Sequence, residues 1–178
     1  MQYISLGSSG LRVSRLCLGT MTYGTPAWRP WVLSEEASRP FFRQAIEAGI
    51  NFFDTADMYS NGVSEEVVGR GLLAGTRRPG LQGETSRAKT DDFARRLYED
   101  SDFEVVDRVV EVAGKRGIPP AQVALAWLLS RPGVTAPIIG ASKPGHLNDA
   151  IAALSVTLTD EEVRRLEEPY RPHEVKGH

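Results

Sequence analysis

The chain has 178 residues, enough for one sizeable core, of which 41% are apolar and 25% charged, with a formal net charge of −2. That balance gives no electrostatic reason to expect nucleic acid or an anionic membrane surface as partner, and no apolar run approaches the roughly 20 residues a membrane helix needs. A single cysteine, Cys17, excludes an internal disulfide framework and suits a reducing cytosol; in the run "RLCLGT" it reads as a small buried hydrophobe.

The N-terminus "MQYISLGSSG" lacks a basic segment followed by an apolar one, so no signal peptide is expected and a cytoplasmic location is the default. "YISL" and "LRVS" flank Gly7-Ser8-Ser9-Gly10, which predicts a hairpin. "LCLGT" predicts a short strand ending in Gly19, and 21–33 a loop rich in Pro, Gly and aromatics. Ser34 caps a helix with acids in its first turn, Pro40 near its start and Gly49 at its end. "INFFDTA" predicts a buried strand closing on Asp54, and Ser64 to Arg70 a short helix. From Gly71 to about Asp100 no apolar alternation is found, so a long loop is expected, with a short helix around 91–98.

Regularity returns with "SDFEVVDRVVEVAGKRG", a helix whose packed face is expected to hold Phe103, Val106, Val110 and Val112/Ala113, stopped by Gly117. A second helix enters through Pro119 and Pro120. "VTAPIIGAS" predicts a strand, "PGHLNDAIAAL" a helix and "TDEEVRRLEEP" a last helix capped by Thr159. Strands alternating with helices argue for parallel βα units in an α/β fold.

Two segments carry chemistry. Asp54 ends an apolar strand and Tyr59 follows in the next loop, which places a carboxylate and a phenol where parallel sheets put their active sites. The phenol is a candidate general acid toward a developing alkoxide if a cation lowers its pKa from near 10. The same residues could merely cap the next helix. The second segment, "PIIGASKPGHLNDAI", runs a strand into Gly140, Ala141 and Ser142 with Lys143 and His146 close behind. Free N–H groups and cations at a helix N-terminus suit a phosphate or dinucleotide, and an ordinary strand–turn–helix with a serine cap reads equally well.

Together these segments resemble the aldo-keto reductases, NADP(H)-dependent oxidoreductases on a TIM barrel. "LGSSGLRVSRLCLGTMTYG" is similar to the family's opening hairpin and first strand, "EAGINFFDTADMYSNGVSEEVVGRGL" to its long signature around the catalytic tyrosine, and "GIPPAQVALAWLLSRPGVTAPIIGASKPGHLNDAI" to its cofactor segment. The tail "LEEPYRPHEVKGH" resembles a bacterial subgroup. The resemblance implies Tyr59 as proton donor to a carbonyl oxygen and Asp54 as partner of a lysine that acidifies it. It implies Gly19 and Thr20 near the nicotinamide of NADPH. It implies Gly140, Ala141, Ser142, Lys143, His146 and Asp149 around the adenosine 2′-phosphate and adenine.

The family's lysine and histidine are the departure. Lys89 stands thirty residues after Tyr59, in the polar loop "ETSRAKTDD" rather than at a strand end; His146 belongs to the cofactor segment, and His173 and His178 to the tail. "SEEVVGR" resembles the family's second helix, whereas "GLLAGTRRPG" resembles the loop after its seventh strand, so an internal deletion is expected near Arg70–Gly71. An intact barrel takes about 250 residues. The expectation is a single truncated domain with an N-terminal part (1–70), a loop (71–100) and a C-terminal part (101–178). Such an incomplete barrel keeps the hairpin and a three-stranded sheet of strands 8, 1 and 2. Helices 34–49 and 103–131 should cover one face, the former interior should meet water, and the exposed edges should favour self-association. Without its lysine, Tyr59 is expected to stay near its ordinary acidity. Reduction of a small carbonyl compound should then be impaired or lost. The alternatives are a non-catalytic dinucleotide-binding or regulatory fragment and a non-functional deletion product.

Overall fold

The computed structural model describes residues 1–73 and 100–172. At its N-terminus, β1 (Tyr3–Ser5) and β2 (Arg12–Ser14) form the expected antiparallel hairpin, with Ile4 opposite Val13. The connection turns through Gly7 and Gly10, both at positive φ, where a residue without Cβ is unstrained. The hairpin is tied to the body by a reciprocal pair: Ser14 N–H donates to Asn51 Oδ1 at 2.7 Å and Asn51 N–H to Ser14 Oγ at 3.3 Å.

A three-stranded parallel sheet follows, with β3 (Cys17–Gly19) between β4 (Phe53–Asp54) and β5 (Ile138–Ile139). Leu18 pairs with Phe53 on one side and Ile139 on the other; Gly19 pairs with Asp54 and Cys17 with Ile138. This is the neighbour order expected for strands 2, 1 and 8. Among the described residues the sheet does not close on itself, and β4 and β5 are its edges. Regular pairing is confined to two residues in each edge strand, shorter than the apolar runs "INFFDTA" and "VTAPIIGAS" suggested, because each has a neighbour on one side only.

Side chains alternate across the pleat, so Leu18, Phe53 and Ile139 share one face. That face packs on Phe41, Phe42 and Ala45 of α1 (Glu35–Glu47) and on Leu147 and Ala150 of α5 (Pro144–Ala153). Ser34 caps α1 as the sequence indicates, accepting from Ala37 N–H, and Gly49 at φ +86° ends it. Cys17, Gly19, Asp54 and Ile138 lie on the opposite face, which is the more open one: Ile138 is 62% exposed. An open groove of about 400 Å³ runs along it past Leu6, Cys17, Phe52, Asp54, Val134 and Ile138. Cys17 is nonetheless buried, as expected, and burial followed by the Asp54 carboxylate pushes its thiol up to about 11.

Three expectations are corrected. First, α2 (Val63–Leu73) begins one residue earlier than Ser64 and runs past Arg70, so the first residues assigned to the long loop are helical. Second, α3 (Asp100–Arg116) turns Val112 and Ala113 inward with Val109, while Phe103, Val106 and Val110 are each more than half exposed. The doublets Val105-Val106 and Val109-Val110 offer two apolar stripes at helical spacing, and the sequence pattern does not choose between them. Third, α3 does not cover the sheet. It joins Val123 of α4 (Pro120–Leu129) and Leu166 of α6 (Asp160–Glu167) in a separate cluster, and α5 takes the place beside α1 that α3 was given. Thr159 caps α6 in a full capping box with Glu162. The expected helix around 91–98, Lys89, His173 and His178 lie outside the described residues.

Candidate active site

The C-terminal ends of β4, β3 and β5 align through the pairing of Gly19 with Asp54 and Leu18 with Ile139. At strand spacings near 4.8 Å, Asp54 and the residue after Ile139 are about 10 Å apart across the sheet. The sheet therefore brings the two chemical segments of the sequence to one end of one surface. Asp54 is half-buried, and Tyr59 enters from a 3₁₀ turn (Tyr59–Gly62) that leads into α2. The Tyr59 hydroxyl donates to Asp54 Oδ2 at 3.4 Å, a long contact for two oxygens.

Burial, then the charge of Asp54, then that hydrogen bond all push the Tyr59 phenol above its ordinary pKa of 10. The expectation of unaltered acidity is thus corrected in direction. A carboxylate within hydrogen-bonding range disfavours the phenolate, and among the described residues no cation offsets it. The two lysines among the described residues lie elsewhere: Lys115 is 3.0 Å from Glu111, and Lys143 is exposed at the start of α5.

Thr20 and Gly19 are buried rather than presented to a ligand. Thr20 is a strut, since its N–H and its Oγ1 both donate to the Asp54 carbonyl, at 3.0 and 2.7 Å. Ser64 Oγ donates in turn to the Thr20 carbonyl at 2.8 Å, which ties the start of α2 to the tip of β3. Tyr23, fully buried, donates from its hydroxyl to the Ala141 carbonyl at 2.8 Å and so links the loop after β3 to the loop after β5. Neither Ser64 nor Tyr23 was singled out in the sequence. Tyr23 lies in a stretch that reads as loop and Ser64 at the start of a predicted helix, and neither setting signals a distant partner.

In the second segment Gly140, Lys143 and His146 are exposed, Ser142 is half-buried and Ala141 is buried. No side chain caps α5; Pro144 at its start has no N–H, and the His146 N–H donates to the Lys143 carbonyl at 3.0 Å. Asp149 faces the other way and accepts from Gln122 Nε2 of α4 at 3.0 Å. The positive end of the helix dipole beside exposed Lys143 and His146 suits an anionic group such as a phosphate. At Gly140 an added Cβ would meet only Thr22 Oγ1, at 3.9 Å, which leaves room for a ligand to approach the backbone. The described residues thus fit the phosphate end of the dinucleotide better than its nicotinamide end.

Comparison with known proteins identifies the family and the fold. The model of the aldo/keto reductase family matches residues 15–85 and again 71–171. Versiconal hemiacetal acetate reductase of Aspergillus parasiticus is 56% identical over 72 residues, which are 40% of this chain and 21% of that protein. An aldo-keto reductase of Metarhizium robertsii is 47% identical over 72 residues, 40% of this chain and 20% of the relative. The chain thus spans about a fifth of the length of these curated relatives. A solved thermostable aldo-keto reductase in complex with the inhibitor epalrestat superposes with a TM-score of 0.69 at 17% identity, over 96% of this chain and 100% of that one, and so shares the fold. The relatives matched are fungal, which overturns the bacterial subgroup expected from the tail; that tail is a short charged segment with few residues to discriminate. With both halves matched over most of its length, the chain belongs to the aldo/keto reductase family.

Proposed function

We propose that this chain carries the NADP-anchoring end and the acid–phenol pair of a carbonyl reductase, and that it is a poor catalyst, or none, when it acts alone. Bound NADPH would supply the hydride for reducing a small carbonyl compound to an alcohol. Lys143, His146 and the first turn of α5 would hold its phosphate end, and Tyr59 would face the carbonyl oxygen as proton donor. The observation that carries the reading is the Tyr59–Asp54 pair: the phenol is made less acidic by burial and by the neighbouring carboxylate, which no cation among the described residues neutralises. General acids work best when their pKa lies near the working pH, and loss of coupled catalytic groups commonly costs several orders of magnitude in rate.

The chain is read as a single truncated domain from which an internal stretch has been lost. Two features support this: the family model matches twice with an overlap at residues 71–85, and the curated relatives are matched over about a fifth of their length. Arg70 and Gly71 fall inside α2, so the two ancestral segments meet within a helix.

The test pairs two readouts on the purified chain. NADPH fluorescence measures binding and NADPH absorbance with a panel of aldehydes measures turnover. Saturable binding that weakens in Lys143→Ala, without turnover, supports the proposal. Turnover that depends on Tyr59 overturns the claim of impairment. Absence of binding overturns the retained cofactor end and leaves a family member without dinucleotide function.

A further inference from the structure

We propose that Ser60 is the positioning residue for the Tyr59 phenol, acting through a left-handed turn keyed into Gly24. This rests on the reading of Tyr59 as the proton donor. Ser60 (φ 51°, ψ 33°) and Asn61 (φ 53°, ψ 47°) are the two non-glycine residues at positive φ among the described residues, and they are consecutive. Gly62 follows at φ +88°. Three residues of left-handed backbone immediately after Tyr59 reverse the chain between the strand that ends in Asp54 and α2. L-residues adopt this conformation at a cost and keep it only where the surroundings over-determine it.

The surroundings do so at Ser60. Its side chain is buried, and its Oγ accepts from Thr25 N–H at 3.3 Å. The turn seats against Gly24, where an added Cβ would lie 2.3 Å from Ser60 Oγ and 2.6 Å from Ser60 Cβ. Only glycine permits that approach, and Gly24 itself adopts φ +156°. Gly24 is fixed in turn, because its N–H donates to the Leu33 carbonyl at 2.8 Å and its neighbour Tyr23 is anchored to Ala141.

The phenol's own polar contact is the long one to Asp54. A contact that weak does not orient a side chain that can rotate about two torsions. The backbone of the turn sets where the ring leaves the chain, and the Ser60–Gly24 seat sets the backbone. Ser60→Ala removes the acceptor of Thr25 N–H while keeping Cβ. Ser60→Gly removes the key and relaxes the left-handed strain, so it retains the fold if the alanine variant does not.

The experiment follows the titration of the Tyr59 ring by NMR of chain labelled at tyrosine Cζ, with the resonance assigned by its absence in Tyr59→Phe. Asp54 is the charged group that faces the phenol. Wild type should titrate above 10, and Ser60→Ala and Ser60→Gly should each return it toward 10 as the Asp54 contact opens. Asp54→Asn should do the same, and adding Ser60→Ala to Asp54→Asn should change nothing further. A merely structural role would lower the unfolding midpoint and leave the Tyr59 titration in place, and that result overturns the proposal. Additive shifts in the double variant overturn it also. No cofactor enters this measurement, so absence of NADPH binding, or turnover that depends on Tyr59, would refute the functional reading without touching this one.

Discussion

Replacing Tyr23 by Phe isolates one hydrogen bond that joins the two parts of the chain. The Tyr23 ring is fully buried, with ring centroids 5.9 Å from Phe41 and 4.9 Å from Phe42, and these contacts survive the change. What is lost is the 2.8 Å bond to the Ala141 carbonyl, which leaves a buried acceptor without this donor. Such a loss costs about 1–3 kcal/mol, or roughly 1 M in the urea midpoint at the m-values of small domains. The bond also has a pH signature. Burial pushes the Tyr23 phenol well above its ordinary value of 10, so the folded state keeps its proton after the unfolded state has lost it. The stabilisation is therefore complete below pH 10. It falls by about 1.4 kcal/mol per pH unit as the pH rises above that value. Urea unfolding followed by fluorescence of Trp28, Trp31 and Trp127 should show wild type above Tyr23→Phe at pH 7, with the gap closing as the pH approaches 11. Equal midpoints at pH 7, or a gap that stays constant into the alkaline range, would refute the reasoning.

Arg15 makes a similar clasp by donating to the carbonyls of Leu129, Val134 and Thr135, so Arg15→Met should lower stability by about 2 kcal/mol in the same urea assay. At acid pH, the Arg116 guanidinium holds Glu162 down to about 2, below the ordinary carboxylate value of 4.5. The contribution of Glu162 is thus present above pH 4.5 and lost as the pH falls toward 2, and Glu162→Gln should flatten that part of the acid unfolding curve. The free edges of β4 and β5, beside the exposed Ile138, should pair between copies. The unfolding midpoint should then rise with chain concentration, and a concentration-independent midpoint would dismiss self-association.

Features written in local signals were legible in the sequence. Ser34 and Thr159 as helix caps, Gly49 as a helix stop and the Gly7–Gly10 turn all depend on neighbours within a few residues. The placement of Asp54 and the Gly140 segment at one end of a parallel sheet was also legible, because strands alternating with helices leave few arrangements. What escaped depends on distant partners. The stripe of α3 that packs is chosen by α4 and α6, not by the valine doublets themselves. The rise in the Tyr59 pKa depends on how far the ring is buried and how near Asp54 comes, neither of which spacing reveals. Tyr23 reads as one more aromatic until its hydroxyl meets Ala141, 118 residues away. The bond between Asp149 and Gln122 of α4 likewise joins residues 27 positions apart that no local signal pairs.

The most direct test of the central claim is NADPH consumption by the purified chain at pH 7 with a panel of aldehydes, run beside Tyr59→Phe. A buried phenol paired with a carboxylate that no cation among the described residues compensates predicts that the two proteins give the same rate, at the level of buffer. Turnover near the rates of ordinary enzymes, about 1 per second or more, that disappears in Tyr59→Phe would contradict it. The chain would then have found an acid or a cation that the Asp54–Tyr59 geometry does not provide.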